Sequence, residues 1–210
     1  MRSIITRAVI TMALAALAVF FATALFAGGK YVTLVFEAEY AQNLSGKEWH
    51  VKKRAEDTSG KVSGKKVLAV PRCAPGEHPK KDEVIYKVNI PQQGTYYLWA
   101  RVFWANGCGN SILFRKIEDD EKEKGETIIG GDATYGSMHW ICWKNGADPL
   151  PLNLKKGVAT FIMGSKESAT EVDQFLLTTD KELYPANIYP PTPNVLVKET
   201  KKTDDKKATK

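Results

Sequence analysis

Glu37 and Glu39, in Phe36-Glu37-Ala38-Glu39, are the first residues whose types and spacing could do chemistry. Two carboxylates that act on a glycosidic bond must flank it at about 5–9 Å. Residues two apart on a strand share one face, so this pair sits too close for that task. His50, His78 and His139 are scattered without a paired nucleophile motif. Ser165 and Ser168 stand outside any G-x-S-x-G elbow. Gly60, Gly64 and Gly130-Gly131 are turn glycines without the Lys-Ser/Thr ending of a phosphate loop. Cys73, Cys108 and Cys142 match no metal spacing. They read either as one disulfide with a thiol left over or as three thiols. Together these patterns point away from catalysis.

The elements that would position such residues are strands. Short apolar, β-branched and aromatic runs alternate with Gly, Pro, Asn and Lys clusters, the pattern of an all-β domain. Strands are expected at Tyr31–Tyr40, Glu48–Lys53, Lys66–Val70, Val84–Ile90, Thr95–Trp104, Asn110–Arg115, His139–Trp143, Val158–Ser165 and Val172–Thr178. Pro91-Gln92-Gln93-Gly94 and Asn106-Gly107 read as turns, and the charged Ile117–Glu126 as an exposed loop or short helical turn. That many short strands favour two packed antiparallel sheets over one small open sheet with bare edges.

Arg2 and Arg7 precede the uncharged stretch Ala8–Ala27, the layout of an export segment whose positive end stays in the cytoplasm. Its length suits either a cleaved signal peptide or a retained single-span anchor helix. The chain is thus expected to be exported, reaching a membrane only through residues 1–27 if these are uncleaved. Of the formal charge of +6, Arg2 and Arg7 carry +2 and the tail Lys198–Lys210 carries +3. About +1 remains for the domain, too little for the concentrated basic face that nucleic acid requires. The tail reads as disordered, and the Pro-rich Asp180–Val197 as an extended exit linker. The expected division is 1–27 export segment, 31–180 sandwich and 181–210 linker and tail.

Three segments carry a family resemblance: Phe36-Glu37-Ala38-Glu39; Pro91 to Val102, as P-x-x-G-x-Y-x-L-x-x-R-V; and Leu152–Gly157 joined to Glu171–Leu177 with its Asp173. In this order they resemble the carbohydrate-binding modules of the galactose-binding-like jelly roll, in particular families 6 and 35. The resemblance implies a jelly-roll β-sandwich with a structural Ca²⁺ held by Glu37, Glu39 and Asp173, hard oxygen ligands that suit that ion. It also implies a glycan partner held on exposed aromatics. Trp104, which ends a strand beside Asn106-Gly107, is the leading platform, with Trp140 and Tyr135 as a second. Glu171 stands where the family has a sugar-contacting Asn, and Gly60–Lys66 lacks an expected aromatic. Trp49, Trp99 and Trp143 read as core. The expected function is an exported, non-catalytic carbohydrate-binding-like module. The alternative is an envelope structural or protein-interaction domain, with a cell-envelope component in place of the glycan.

Overall fold

A computed structural model describes residues 31–44, 46–55, 60–74, 77–105, 109–117, 127–142 and 148–198. The export segment, Asn106-Gly107, Cys108, residues 118–126, Trp143 and the tail from 199 lie outside the described residues. The strands are β1 (Thr33–Glu37), β2 (His50–Lys53), β3 (Lys66–Ala69), β4 (Glu83–Ile90), β5 (Gly94–Trp104) and β6 (Ser111–Ile117). They continue with β7 (Thr127–Gly130), β8 (Met138–Ile141), β9 (Leu150–Leu154), β10 (Gly157–Gly164) and β11 (Thr170–Thr178).

Every pairing is antiparallel. One sheet runs β2-β3-β11-β5-β8, with β1 also against β11 and β9 also against β5; the other runs β4-β10-β6-β7. Along β5, Tyr96, Leu98, Ala100, Val102 and Trp104 alternate inward and are buried. Phe36 and Phe175 from the first sheet meet Tyr86 from the second at ring separations of 5.4 Å each, which joins the layers into a β-sandwich. The Tyr86 hydroxyl donates to Ala38 O at 2.8 Å, and burial raises its pKa. Tyr96 closes the Pro91–Gly94 turn by donating to Gln92 O at 2.9 Å. That turn crosses between the sheets rather than closing a hairpin, since β4 and β5 belong to different layers.

All nine expected strands are present. β7 and β9 were not expected: β7 directly follows the charged run Ile117–Glu126 that reads as a loop, and Pro151 sits inside β9. Proline is tolerated there because β9 pairs with β5 alone and needs no second ladder.

β11 is buried at every position, and so are Trp99 and Arg101 on the outer side of β5. A sheet packed on one face only would not produce this. The outer face is covered by the Pro-rich segment 181–198, which corrects the expectation of a free exit linker. Leu183 and Tyr189 pack on Val35, Leu176, Trp99 and Cys142, and Tyr184 lies edge-on to Trp99 at 4.9 Å. Thr192 exchanges two 2.9 Å hydrogen bonds with Val35, capping the outer edge of β1. Further on, Val195 O accepts from Asn89 N–H at 2.7 Å and Val197 N–H donates to Lys87 O at 2.9 Å, so the same strap covers an edge of β4. Unpaired strand edges invite wrong partners; here the strap protects one edge in each sheet.

Candidate functional site

β1 and β11 lie side by side, with Glu37 opposite Gln174 and Gln174 opposite Arg101. These three form a polar row on the outer face of the first sheet. Strict alternation would turn Asp173 away from Gln174. Between Val172 and Gln174, however, the β11–β5 register slips by one residue, the mark of a bulge. A bulge re-aims a side chain, and the Asp173 carboxylate joins the row. Its Oδ2 accepts from Arg101 at 2.6 Å and its Oδ1 from Ser63 N–H at 2.9 Å.

Glu39 reaches the same place by a different route from the one expected. β1 stops at Glu37, and Glu39 sits in a 3-10 turn, Ala38–Tyr40. Segment 60–65 closes over the group. Ser63 Oγ donates to Glu37 Oε1 at 2.6 Å, and Gln174 Nε2 donates to the same oxygen at 3.1 Å. Burial pushes the Glu39 carboxyl up to about 7, with the charges of Glu37 and Asp173 adding to it. Burial likewise raises Asp173 to about 6 against the pull of Arg101, and raises Glu37 against the bonds from Ser63 and Gln174.

Three carboxylates therefore share one buried neighbourhood with a single guanidinium in contact. Glu37 Oε2 and Glu39 Oε2 are buried without a hydrogen-bond partner. Orphaned carboxylate oxygens beside uncompensated charge are what a hard divalent cation would satisfy. The donor chemistry fits the calcium that the family resemblance implies, through the two glutamates. Asp173 is already engaged at both oxygens. Among the described residues, no group of three His, Cys, Asp or Glu side chains is arranged as a ready-made metal site.

The aromatics fall elsewhere. Trp104 is fully buried, with its Nε1 donating to Asp132 Oδ1 at 2.8 Å and its ring edge-on to His139 at 6.1 Å. It is core, not a platform, because its parity on β5 is that of Tyr96 and Val102. Trp140 is half-buried beneath the strap; its Nε1 donates to Asn187 O at 2.8 Å and its ring meets Tyr189 at 5.9 Å. Tyr135 alone of the proposed platforms is open, 39% exposed. Glu171 is buried, and it accepts from Lys52 Nζ at 2.7 Å on one oxygen and from Arg54 on the other. Arg54 in turn lies 4.1 Å over the Phe103 ring. Buried and held by two cations, Glu171 is not presented to a sugar as an exposed contact residue would be. Trp49 and Trp99 are buried as expected.

Sequence reasoning did not assign roles to Ser63, Arg101 and Gln174. Arg101 carried a signal, as the charged residue of an otherwise apolar strand; Ser63 and Gln174 carried none.

No family model and no curated protein matches the chain. Some solved structures are similar to it, each of the three that follow at a TM-score below 0.5. The C-terminal family 6 carbohydrate-binding module of a marine laminarinase from Zobellia galactanivorans is 14% identical, at a TM-score of 0.44, over 70% of this chain and 100% of that one. A family 6 module from the Cellvibrio mixtus lichenase 5A, in complex with cellotriose, is 20% identical at a TM-score of 0.44, over 70% of this chain and 96% of that one. An isomalto-dextranase from Arthrobacter globiformis is 15% identical at a TM-score of 0.47 over 69% of this chain, which spans only 23% of that protein.

Proposed function

We propose that the chain is an exported, non-catalytic carbohydrate-binding module whose sandwich is steadied by Ca²⁺ at Glu37 and Glu39, with Asp173 beside them. One observation carries this reading. Glu37, Glu39, Arg101 and Asp173 come from all three segments that resemble the family, and they meet in one buried cluster. The motifs thus act together as a scaffold, as the resemblance implies. Export rests on Arg2, Arg7 and the uncharged Ala8–Ala27. The glycan is the partner this reading requires.

A second reading, an envelope domain that binds protein rather than sugar, is favoured by the occupied state of Trp104, Trp140 and Glu171. A glycan array probed with the purified full chain separates the two. Binding to any saccharide class supports the module; no saccharide bound, with a protein captured from the envelope of the native cell, supports the alternative. Calcium is tested separately by melting with and without EDTA, since a ion bound only by the folded state must raise its stability. An unchanged melting temperature with no bound calcium by elemental analysis removes the ion from the account.

A further inference from the structure

On the outer face of the first sheet, one line of residues crosses four strands. Glu37 of β1 is opposite Gln174 of β11, Gln174 is opposite Arg101 of β5, and Arg101 is opposite Trp140 of β8. The carboxylate cluster lies at one end of this line, and the strap, residues 181–198, crosses it. Gln174 is the residue that touches both. It is fully buried, and Nε2 of its amide donates to Glu37 Oε1 at 3.1 Å and to Tyr189 O at 2.8 Å, while its Oε1 accepts from Tyr189 N–H at 3.2 Å. We propose that Gln174 couples the cluster to the strap, so that a divalent cation held at Glu37 and Glu39 fastens the strap over the first sheet.

A primary amide carries two N–H donors and one carbonyl acceptor. Tyr189 presents the N–H and the C=O of the strap backbone together, and the Gln174 amide meets both in a single orientation. Its remaining N–H is then taken up by Glu37 Oε1. The Glu37 carboxylate thus helps to fix the amide that fixes the strap. Its second oxygen, Oε2, is buried without a hydrogen-bond partner, and so is Glu39 Oε2. Buried oxygens of this kind cost free energy until something satisfies them. A shift of Glu37 toward water would relieve that cost and draw Oε1 away from Gln174. A hard cation bound by the two orphaned oxygens removes the reason to shift.

The strap meets the line at a second point, where Trp140 Nε1 donates to Asn187 O at 2.8 Å and the Trp140 ring lies 5.9 Å from that of Tyr189. Residues 187–189 are therefore clamped to β11 and β8 at once. Beyond them the strap runs to Val35 through Thr192 and then to Asn89 and Lys87. Releasing Tyr189 would free the stretch between the Trp99 contact and Thr192. Gln174 is in this sense a positioning residue, joined to the cation only through Glu37. Residues 181–198 also lie beyond the segments that carry the family resemblance, so the coupling belongs to an extension of this chain and not to the shared sandwich.

The inference rests on the calcium part of the proposed function. Amide hydrogen exchange of the full chain is followed by NMR in EDTA and in saturating Ca²⁺, with bound calcium counted by elemental analysis. A ligand shifts a local opening only by its differential affinity for the two states. The Tyr189 and Thr192 amides should slow by about fivefold or more, the range usual for coupled sites, while Gly131 N–H, bonded to Asn110 O in the other sheet, keeps its rate. In Gln174→Met, which keeps the volume without the amide, calcium should still bind and the strap amides should cease to respond to it. Gln174→Asn, too short to reach both partners, takes its place if the Met variant does not fold. Bound calcium with unchanged strap amides overturns the proposal and leaves the ion in the account. A response that survives in the variant also overturns it, as does a slowing shared equally by the strap, Gly131 and β10, which is global stabilisation alone. No bound calcium overturns the coupling and the calcium reading together, and leaves the carbohydrate reading to the glycan array.

Discussion

Ending the chain after Asp180 is the perturbation that most directly tests the strap. The cut removes Leu183, Tyr184 and Tyr189 from the outer face of the first sheet, and Val195, itself buried, from beside β4. It also strips both hydrogen bonds from the edge of Val35, and those linking Gln174 with Tyr189 at 2.8 and 3.2 Å. A buried aliphatic side chain is worth about 1.5–3 kcal/mol and a net hydrogen bond about 1 kcal/mol. Discounting for partial exposure and for the entropy regained by the freed chain, a net loss of about 5 kcal/mol is expected. Native domains have only about 5–15 kcal/mol in total, so the truncated chain should be largely unfolded or close to it. Urea denaturation of the full and truncated chains measures the difference, and hydrogen exchange at Val35 and Asn89 localises it. A milder variant, Thr192→Val, keeps the strap but withdraws the acceptor from Val35 N–H and should cost about 1–2 kcal/mol. If the truncated chain has the same urea midpoint, with those two amides equally protected, the segment is the loose linker its proline content suggests.

Arg101→Met keeps the aliphatic packing but leaves Asp173 unpaired, and breaking a buried pair costs about 3–5 kcal/mol; urea titration should show this loss, largely restored by adding Asp173→Asn. Gly130→Ala should destabilise by roughly 3 kcal/mol or more, because its φ is 121° and a Cβ there would lie 2.2 Å from Asn110 O; a normal melting curve would contradict it. Trp104→Ala should cost about 3–5 kcal/mol, as much as Trp99→Ala, since both are core. Burial alone would raise Glu167, but hydrogen bonds from Lys166, Ser111 Oγ and Asn110 N–H hold its carboxyl below the usual 4.5. A depressed carboxylate contributes stability above its unfolded pKa and loses it as pH falls through the folded value. Glu167→Gln should therefore weaken the domain at pH 7, with the gap to the parent closing below about pH 4.5 in urea titrations.

How far the architecture could be read from residues depended on whether the deciding force was local. The nine expected strands were announced by β-branched or aromatic residues between turn signals, whereas β7 follows directly on the charged run Ile117–Glu126 that reads as a loop, and β9 hid behind Pro151. The inward placement of Trp104 was legible after all. It shares parity with Tyr96, Leu98, Ala100 and Val102, and a strand that buries those four must bury the fifth. Its position beside a turn was the weaker signal. The family resemblance put Asp173 beside Glu37, but the one-residue slip in the β11–β5 register that turns its carboxylate there is announced by no periodicity. The departure at Glu171 was visible, but its meaning was not, because Lys52 and Arg54 come to it from more than a hundred residues away. The strap shows the same limit from the other side. Prolines dominate its composition and suggest a solvated spacer, yet Leu183, Tyr184, Tyr189 and Val195 are more apolar than a spacer needs. Those side chains acquire a purpose only once Trp99 and Leu176 are known to be buried on a face that the second sheet does not touch. Composition describes how a segment behaves alone; what it covers is decided by the strand whose exposed face needs covering.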